Sequence, residues 1–172
     1  MMNLSLINLL FIFVLFLICC NQPVNIPITE ITVDKSVNIN KKFIEAEEKL
    51  IKKFIEEENL SLNKTGSGIY YLIEGSGRGK HPEMGEMVSF TFNIYLLNRM
   101  LIYSSDAMGV YQFKVDKDDV PSGLNQIIKL LKVGEKAKFI LPSHLAYGVQ
   151  GDGDKIPVRS PLYYEVKLID IK

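Results

Sequence analysis

One apolar stripe of helical period stands among many short, strand-like runs in the second half of this 172-residue chain, and that ratio of elements decides what it can fold into. In PSGLNQIIKLLKVGE, Leu124, Ile127, Ile128 and Leu131 fall at helical spacing, with Pro121 and Ser122 before the start and Gly134 after the end. Around it GIYYLIEG, MVSFTFNIYLL, LIYSS, YQFKV, KAKFIL and LYYEVKLIDI are rich in β-branched and aromatic residues and are separated by turn formers. An α+β fold is predicted, in which a curved antiparallel β-sheet over residues 66–172 wraps over one short α-helix.

Upstream the pattern changes. In KKFIEAEEKLIKKFIEEEN, Phe43, Ile44, Leu50, Ile51, Phe54 and Ile55 form one stripe while Glu and Lys cover the other face, which predicts an amphipathic helix over Lys41–Asn59. At 3.6 residues per turn it has about five turns. Two roles fit it: a contact for a partner or a second copy, or a stripe that packs on the domain that follows. Residues 41–65 are therefore expected to be helix and linker, and residues 20–40, with two prolines and no helical period, a tether.

The opening MMNLSLINLLFIFVLFLICC carries an apolar run from Leu9 to Ile18, shorter than the roughly 20 residues that span a bilayer and suited to an export signal. It closes with Leu17 three residues before Cys20 and Cys19 immediately before it, which resembles a bacterial lipobox. Residues 1–19 are then a lipoprotein signal peptide, Cys20 is the lipidated residue, and the chain is anchored in the bacterial cell envelope, facing the periplasm or the cell surface. The alternative is a signal anchor that is never cleaved. Both cysteines lie in this segment, so cleavage leaves no pair for a disulfide, a CxxC motif or a zinc site.

Several other chemistries are excluded. Twenty basic residues against twenty acidic ones give no nucleic-acid footprint. GSGRGKH, residues 75–81, fails as a phosphate loop because Glu74 stands where the first glycine must be and His81 where Ser or Thr must be. Asp152 and Asp154 in GDGDK lack the further carboxylates and closing Glu of an EF-hand and read as a polar turn. His81 and His144 lie far apart with no matching ligand set, so neither a metal nor a cofactor is expected.

GLNQIIKLLKVGEKAKFILPSHLAYGVQGDGDKIP followed by SPLYYEVKLIDI resembles the FK506-binding-protein (FKBP) type of peptidyl-prolyl cis-trans isomerase. Upstream, GRGKHPEMGEMVSFTFNIYLLNRMLIYSS is similar to the same family's glycine-rich start and its strand leading to a Ser-Ser, so the likeness covers about 105 residues. Within the family, YSS, VDKDDV, GLNQIIKLLKVGE and FILPSHLAYG most resemble the gliding-motility-associated isomerase lipoproteins.

The resemblance implies an apolar cup that takes a proline-containing polypeptide. Its walls would be Phe92, Ile102, Tyr103, Tyr111, Val120, Pro121, Leu124 and Tyr164, with Tyr147 offering its hydroxyl to the substrate carbonyl and the Ile156 backbone N–H a second donor. The family usually has Phe-Asp where this chain has Ile102-Tyr103, so the resemblance also implies a site without its carboxylate and with weakened turnover. Three readings stay open. The chain is an isomerase assisting the folding of exported envelope proteins, a proline-binding module or holdase without turnover, or a structural lipoprotein of a gliding or secretion machinery with Lys41–Asn59 as its contact.

Overall fold

The alternating pattern of MVSFTFNIYL becomes the central strand of the molecule. The structure, a computed structural model, describes residues 33–172; the expected signal, Cys20 and the first part of the expected tether lie outside the described residues. In chain order the elements are helix α1 (Val33–Glu57), strands β1 (Asn63–Lys64), β2 (Tyr70–Glu74), β3 (Met87–Leu96) and β4 (Leu101–Ser104), a single-turn helix α2 (Ser105–Met108), β5 (Tyr111–Lys114), helix α3 (Ser122–Ile128), β6 (Lys136–Leu141), a 3-10 turn (Ser143–Leu145) and β7 (Leu162–Ile171). The seven strands form one antiparallel sheet in the order β1-β2-β6-β7-β3-β4, with β5 also paired to β3. The predicted α+β architecture is the observed one.

β3 carries the sheet. One edge pairs with β7 from Val88↔Ile171 to Leu96↔Leu162. The other edge is shared, with Met87–Phe90 taken by β5 and Asn93–Tyr95 by β4. Between those two partners the Phe92 N–H has no strand to bond, and it donates to Ser105 Oγ at 2.6 Å. That bond gives the second serine of YSS its structural task.

Because strand residues alternate between faces, the sheet carries a separate layer on each side. Val88, Phe90, Phe92, Ile94, Phe139, Tyr164 and Val166 join Leu124, Ile127, Ile128 and Leu131 in the main core, so the apolar stripe of α3 and the turn after it is the one the sheet wraps. On the opposite face Tyr70, Ile140 and Tyr163 pack against Ile51 and Phe54 of α1. Consecutive Tyr163 and Tyr164 thus serve different layers. Fully burying Ile51 and Phe54 contributes roughly 1.5–3 kcal/mol each, enough to hold the helix on the sheet.

Only part of the α1 stripe does this. Ile51, Phe54 and Ile55 pack on the sheet, whereas Phe43, Ile44 and Leu50 stay at least half exposed. The helix also begins at Val33, inside the segment expected to be tether, because VDKSVNIN has no proline to stop it although it lacks a continuous apolar stripe. It stops where Asn59 takes a left-handed φ of 51°, with Asn59 N–H donating to the Glu56 carbonyl and Leu60 N–H to the Ile55 carbonyl. Among the described residues no helix is long and apolar enough to cross a membrane.

Candidate functional site

A cavity of about 580 Å³ opens where α3, the concave face of the sheet and the loop after β6 meet. β3 supplies Phe90, Phe92 and Ile94, all on its inward-facing alternate positions, and β5 adds Tyr111. Their rings meet edge to face, with Phe92 and Tyr111 centroids 6.1 Å apart at 82° and Phe90 and Tyr111 5.7 Å apart at 69°. Such edge-to-face contacts contribute about 0.5–1.5 kcal/mol each beyond area burial and orient the rings of the wall. Val120, Pro121, Ser122 and Leu124 line the side at the start of α3, Met108 comes from α2, and Tyr164 of β7 lies against the base.

Tyr164 is fully buried, stacked on Phe139 at 4.9 Å with only 8° between the rings, and its hydroxyl finds no hydrogen-bond partner among the described residues. Burial pushes its phenol far up, with the neighbouring Tyr147 and Tyr111 hydroxyls adding to the effect, so it stays protonated. The cavity therefore has a neutral polar group at its base.

Tyr147 reaches the cavity from a tight corner. The 3-10 turn Ser143–Leu145 leaves the Ser143 carbonyl to accept both the Ala146 N–H, at 3.1 Å, and the Gly148 N–H, at 2.7 Å, so the two bonds bracket Tyr147. Gly148 closes the corner at a φ of 61°, where a side chain would be strained. Burial, followed by the charge of Asp152, pushes the Tyr147 hydroxyl above its ordinary value and keeps it a donor at neutral pH.

The sequence-predicted wall is largely assembled. Phe92, Tyr103, Tyr111, Val120, Pro121, Leu124, Tyr147 and Tyr164 all line this cavity. Ile102 and Ile156 do not. Both are core residues, 7% and 3% exposed, and neither contributes to the wall. The Ile156 N–H, expected to serve substrate, instead donates to Asp152 Oδ1 at 2.7 Å. Pro121 has no N–H to offer in its place.

Asp152 is the residue that sequence reasoning missed, having assigned it to a polar turn. Its Oδ2 accepts the Tyr103 hydroxyl at 2.5 Å, while Oδ1 takes the N–H groups of Asp154 and Ile156. The site thus has a carboxylate after all, delivered by the loop to the tyrosine that stands in the acid's place. Partial burial pushes the Asp152 carboxyl up, but the hydrogen bonds from Tyr103 and the loop N–H groups outweigh it and hold the group below its usual range. The same bond, with partial burial, drives the Tyr103 phenol well above its own. Asp119, exposed at the mouth, is the other charged residue of the wall. Phe90 and Ile94 were findable from the period of two that includes Phe92; Asp119, Met108 and Ala146 carry no such signal.

Gly151, just before Asp152, sits at a φ of 69°, and a Cβ there would lie 2.2 Å from the Ile156 carbonyl oxygen. That oxygen accepts the Asp152 N–H at 3.2 Å, so the loop is closed by reciprocal bonds between residues 152 and 156. GSGRGKH takes no part in the cavity wall; Arg78 makes an isolated bridge to Val133, and Gly77 is where the chain passes so close to Lys132 that a Cβ would meet it at 2.3 Å.

Residues 78–169 match the family described as FKBP-type peptidyl-prolyl cis-trans isomerase. The chain is 37% identical over 108 residues to a probable FKBP-type peptidyl-prolyl cis-trans isomerase FkpA of Neisseria meningitidis serogroup B, covering 62% of this chain and 39% of that one. It is 32% identical over 122 residues to the FKBP-type 22 kDa peptidyl-prolyl cis-trans isomerase of Escherichia coli, covering 69% and 58% respectively. It thus spans only about half the length of these relatives. The crystal structure of FkpA from Escherichia coli superposes with a TM-score of 0.66 at 25% identity, over 80% of this chain and 64% of that one. The wrapped sheet, the aromatic cavity with its tyrosine corner and the match over residues 78–169 make this chain a member of the FKBP-type peptidyl-prolyl cis-trans isomerase family.

Proposed function

We propose that the chain is a peptidyl-prolyl cis-trans isomerase acting on exported polypeptides. The observation that carries this is the aromatic cavity with a partly buried, protonated Tyr147 hydroxyl at its wall, within a family-matched domain. Rotation about an X-Pro amide meets a barrier of roughly 18–20 kcal/mol, created by resonance between the nitrogen and the carbonyl. Breaking no bond, a catalyst has only to favour the twisted amide over the planar one. Removing water from the amide weakens the charge-separated resonance form, which the aromatic wall accomplishes, while one donor to the carbonyl positions the substrate so that the bond can turn within the cavity. Tyr147 is that donor. Tyr147→Phe should lower kcat/KM on a proline tetrapeptide about tenfold, the cost of one hydrogen bond made in the transition state. A protease-coupled or NMR-exchange assay reads it, and no acceleration by the wild-type chain would sink the enzyme reading.

A proline-binding module without turnover is the second reading. It is favoured by the engagement of the Ile156 N–H with Asp152, which leaves Tyr147 without the second donor expected from the sequence. Under it, proline peptides bind and unfolded clients are kept from aggregating with no effect on the isomerisation rate.

The leader supports a location at the membrane of the cell envelope. Leu17-Ile18-Cys19-Cys20 suits cleavage and acylation at Cys20, and the likeness of YSS and FILPSHLAYG to gliding-motility lipoproteins points the same way. Metabolic labelling with a radioactive or alkyne-bearing fatty acid should mark the wild-type chain in cells and miss Cys20→Ser. Equal labelling of both would refute the anchor.

A further inference from the structure

We propose that α1, which lies outside the family-matched residues 78–169, is a positioning element of the site: through Glu47 and Phe43 it grips both ends of the loop that carries Tyr147 and Asp152. At the first end, Glu47 accepts the Ser143 N–H on Oε1 and the Ser143 hydroxyl, at 3.1 Å, on Oε2. Ser143 is itself buried, and its carbonyl makes the two bonds that bracket Tyr147. At the other end, the Arg159 guanidinium lies 4.1 Å from the centre of the Phe43 ring. Arg159 also donates its N–H to the Gly148 carbonyl at 2.8 Å, so the two ends are joined behind the tyrosine.

The two anchors are four residues apart, hence one above the other on the same face of α1. This accounts for one of the stripe residues that the sheet leaves uncovered: Phe43 is half exposed because its partner is a cation from the loop rather than the core. Arg159 holds a left-handed φ of 53°, a backbone state uphill for a side-chain-bearing residue and one that needs support from outside the loop. Neither Glu47 nor Phe43 lines the cavity, so both act through the loop.

This inference rests on the isomerase reading for its activity readout, and its test separates the two. In the purified full chain, kcat/KM on a proline tetrapeptide and amide exchange at Ala146 and Gly148 are measured for wild type, Glu47→Ala, Glu47→Gln, Phe43→Ala and Tyr70→Phe. The last removes a different tie of α1, the hydroxyl that Tyr70 donates to Glu48, without touching the loop. Glu47→Ala should lower kcat/KM about tenfold and speed exchange at Gly148 by a similar factor, since small displacements of a reacting group cost large factors in rate. Phe43→Ala should lower it about threefold, in line with a partly exposed cation–π contact. Glu47→Gln should recover most of the activity, because its amide oxygen still accepts the Ser143 N–H, and Tyr70→Phe should match wild type. Wild-type activity in Glu47→Ala, no recovery in Glu47→Gln, or an equal loss in Tyr70→Phe would each overturn the proposal. A wild-type chain with no isomerase activity sinks the enzyme reading alone, and unchanged Gly148 protection in Glu47→Ala then overturns the grip.

Discussion

Replacing Asp152 with Ala should lower kcat/KM on a proline tetrapeptide by about 100-fold, ten times the effect expected of removing the Tyr147 hydroxyl, because a displaced loop misplaces every group it carries. One carboxylate accepts the Tyr103 hydroxyl and the N–H groups of Asp154 and Ile156. Truncation leaves the Ile156 donor without its partner beside a buried side chain, at a cost of about 1–3 kcal/mol, and frees the loop from β4 at the same time. Tyr103→Phe removes one of the three bonds and should cost about fivefold. The pH dependence has a definite sign. The Asp152 carboxyl is held below its unfolded value, so its stabilisation is complete above about pH 4 and disappears as the pH falls through the folded value. Wild type should therefore approach Asp152→Ala in loop exchange only once the pH falls below the folded value, and differ from it fully at pH 7. Tyr103 is pushed upward and stays protonated through the neutral range, so no matching loss is expected up to mildly alkaline pH. Activity of Asp152→Ala within twofold of wild type would remove the carboxylate from any role in the site.

Gly151→Ala should be nearly as damaging, with kcat/KM down about 30-fold and little change in the global unfolding midpoint. Two costs add at this position. A left-handed backbone costs a side-chain-bearing residue roughly 1–2 kcal/mol, and the new Cβ would sit 2.2 Å from the Ile156 carbonyl oxygen, which has to move. Moving it breaks the Asp152 N–H bond that closes the loop. Gly153 is the control, since it has a comparable φ of 77° but open space around its Cβ. If Gly153→Ala lost as much activity as Gly151→Ala, backbone strain alone would explain both and the close approach at Ile156 would be immaterial.

The parts of this molecule that were legible in the sequence are those where one local period dictates one burial. Leu124, Ile127, Ile128 and Leu131 could only be a helix stripe, and all four are buried. Phe90, Phe92 and Ile94 alternate along β3, so Phe92 as a wall residue carried its neighbours with it. What escaped depends on contacts between distant segments. Asp152 has the local signature of a turn, and the turn is real; its second role exists only because β4 brings Tyr103 within reach across 49 residues of sequence. The Ile156–Asp152 bond escaped for the same reason, since the Ile156 N–H donates to a side chain four residues away whose orientation nothing local specifies. The start of α1 escaped for the opposite cause: Val33 to Asn40 is helical without an apolar stripe, which leaves a periodicity argument nothing to count.

Tyr163 and Tyr164 stand on opposite layers, one against Phe54 and the other against Phe139 at the base of the cavity. The divide between helix dock and binding cup is therefore a single peptide wide along β7, which makes the strand behave like a reading frame. Losing or gaining one residue there would exchange the two inventories wholesale, turning Glu165 toward the cup and Tyr164 toward the helix, with no half-measure between. A change of length inside β7 is therefore not tolerated, and engineered linkers or tags inserted for in-cell studies face the same restriction.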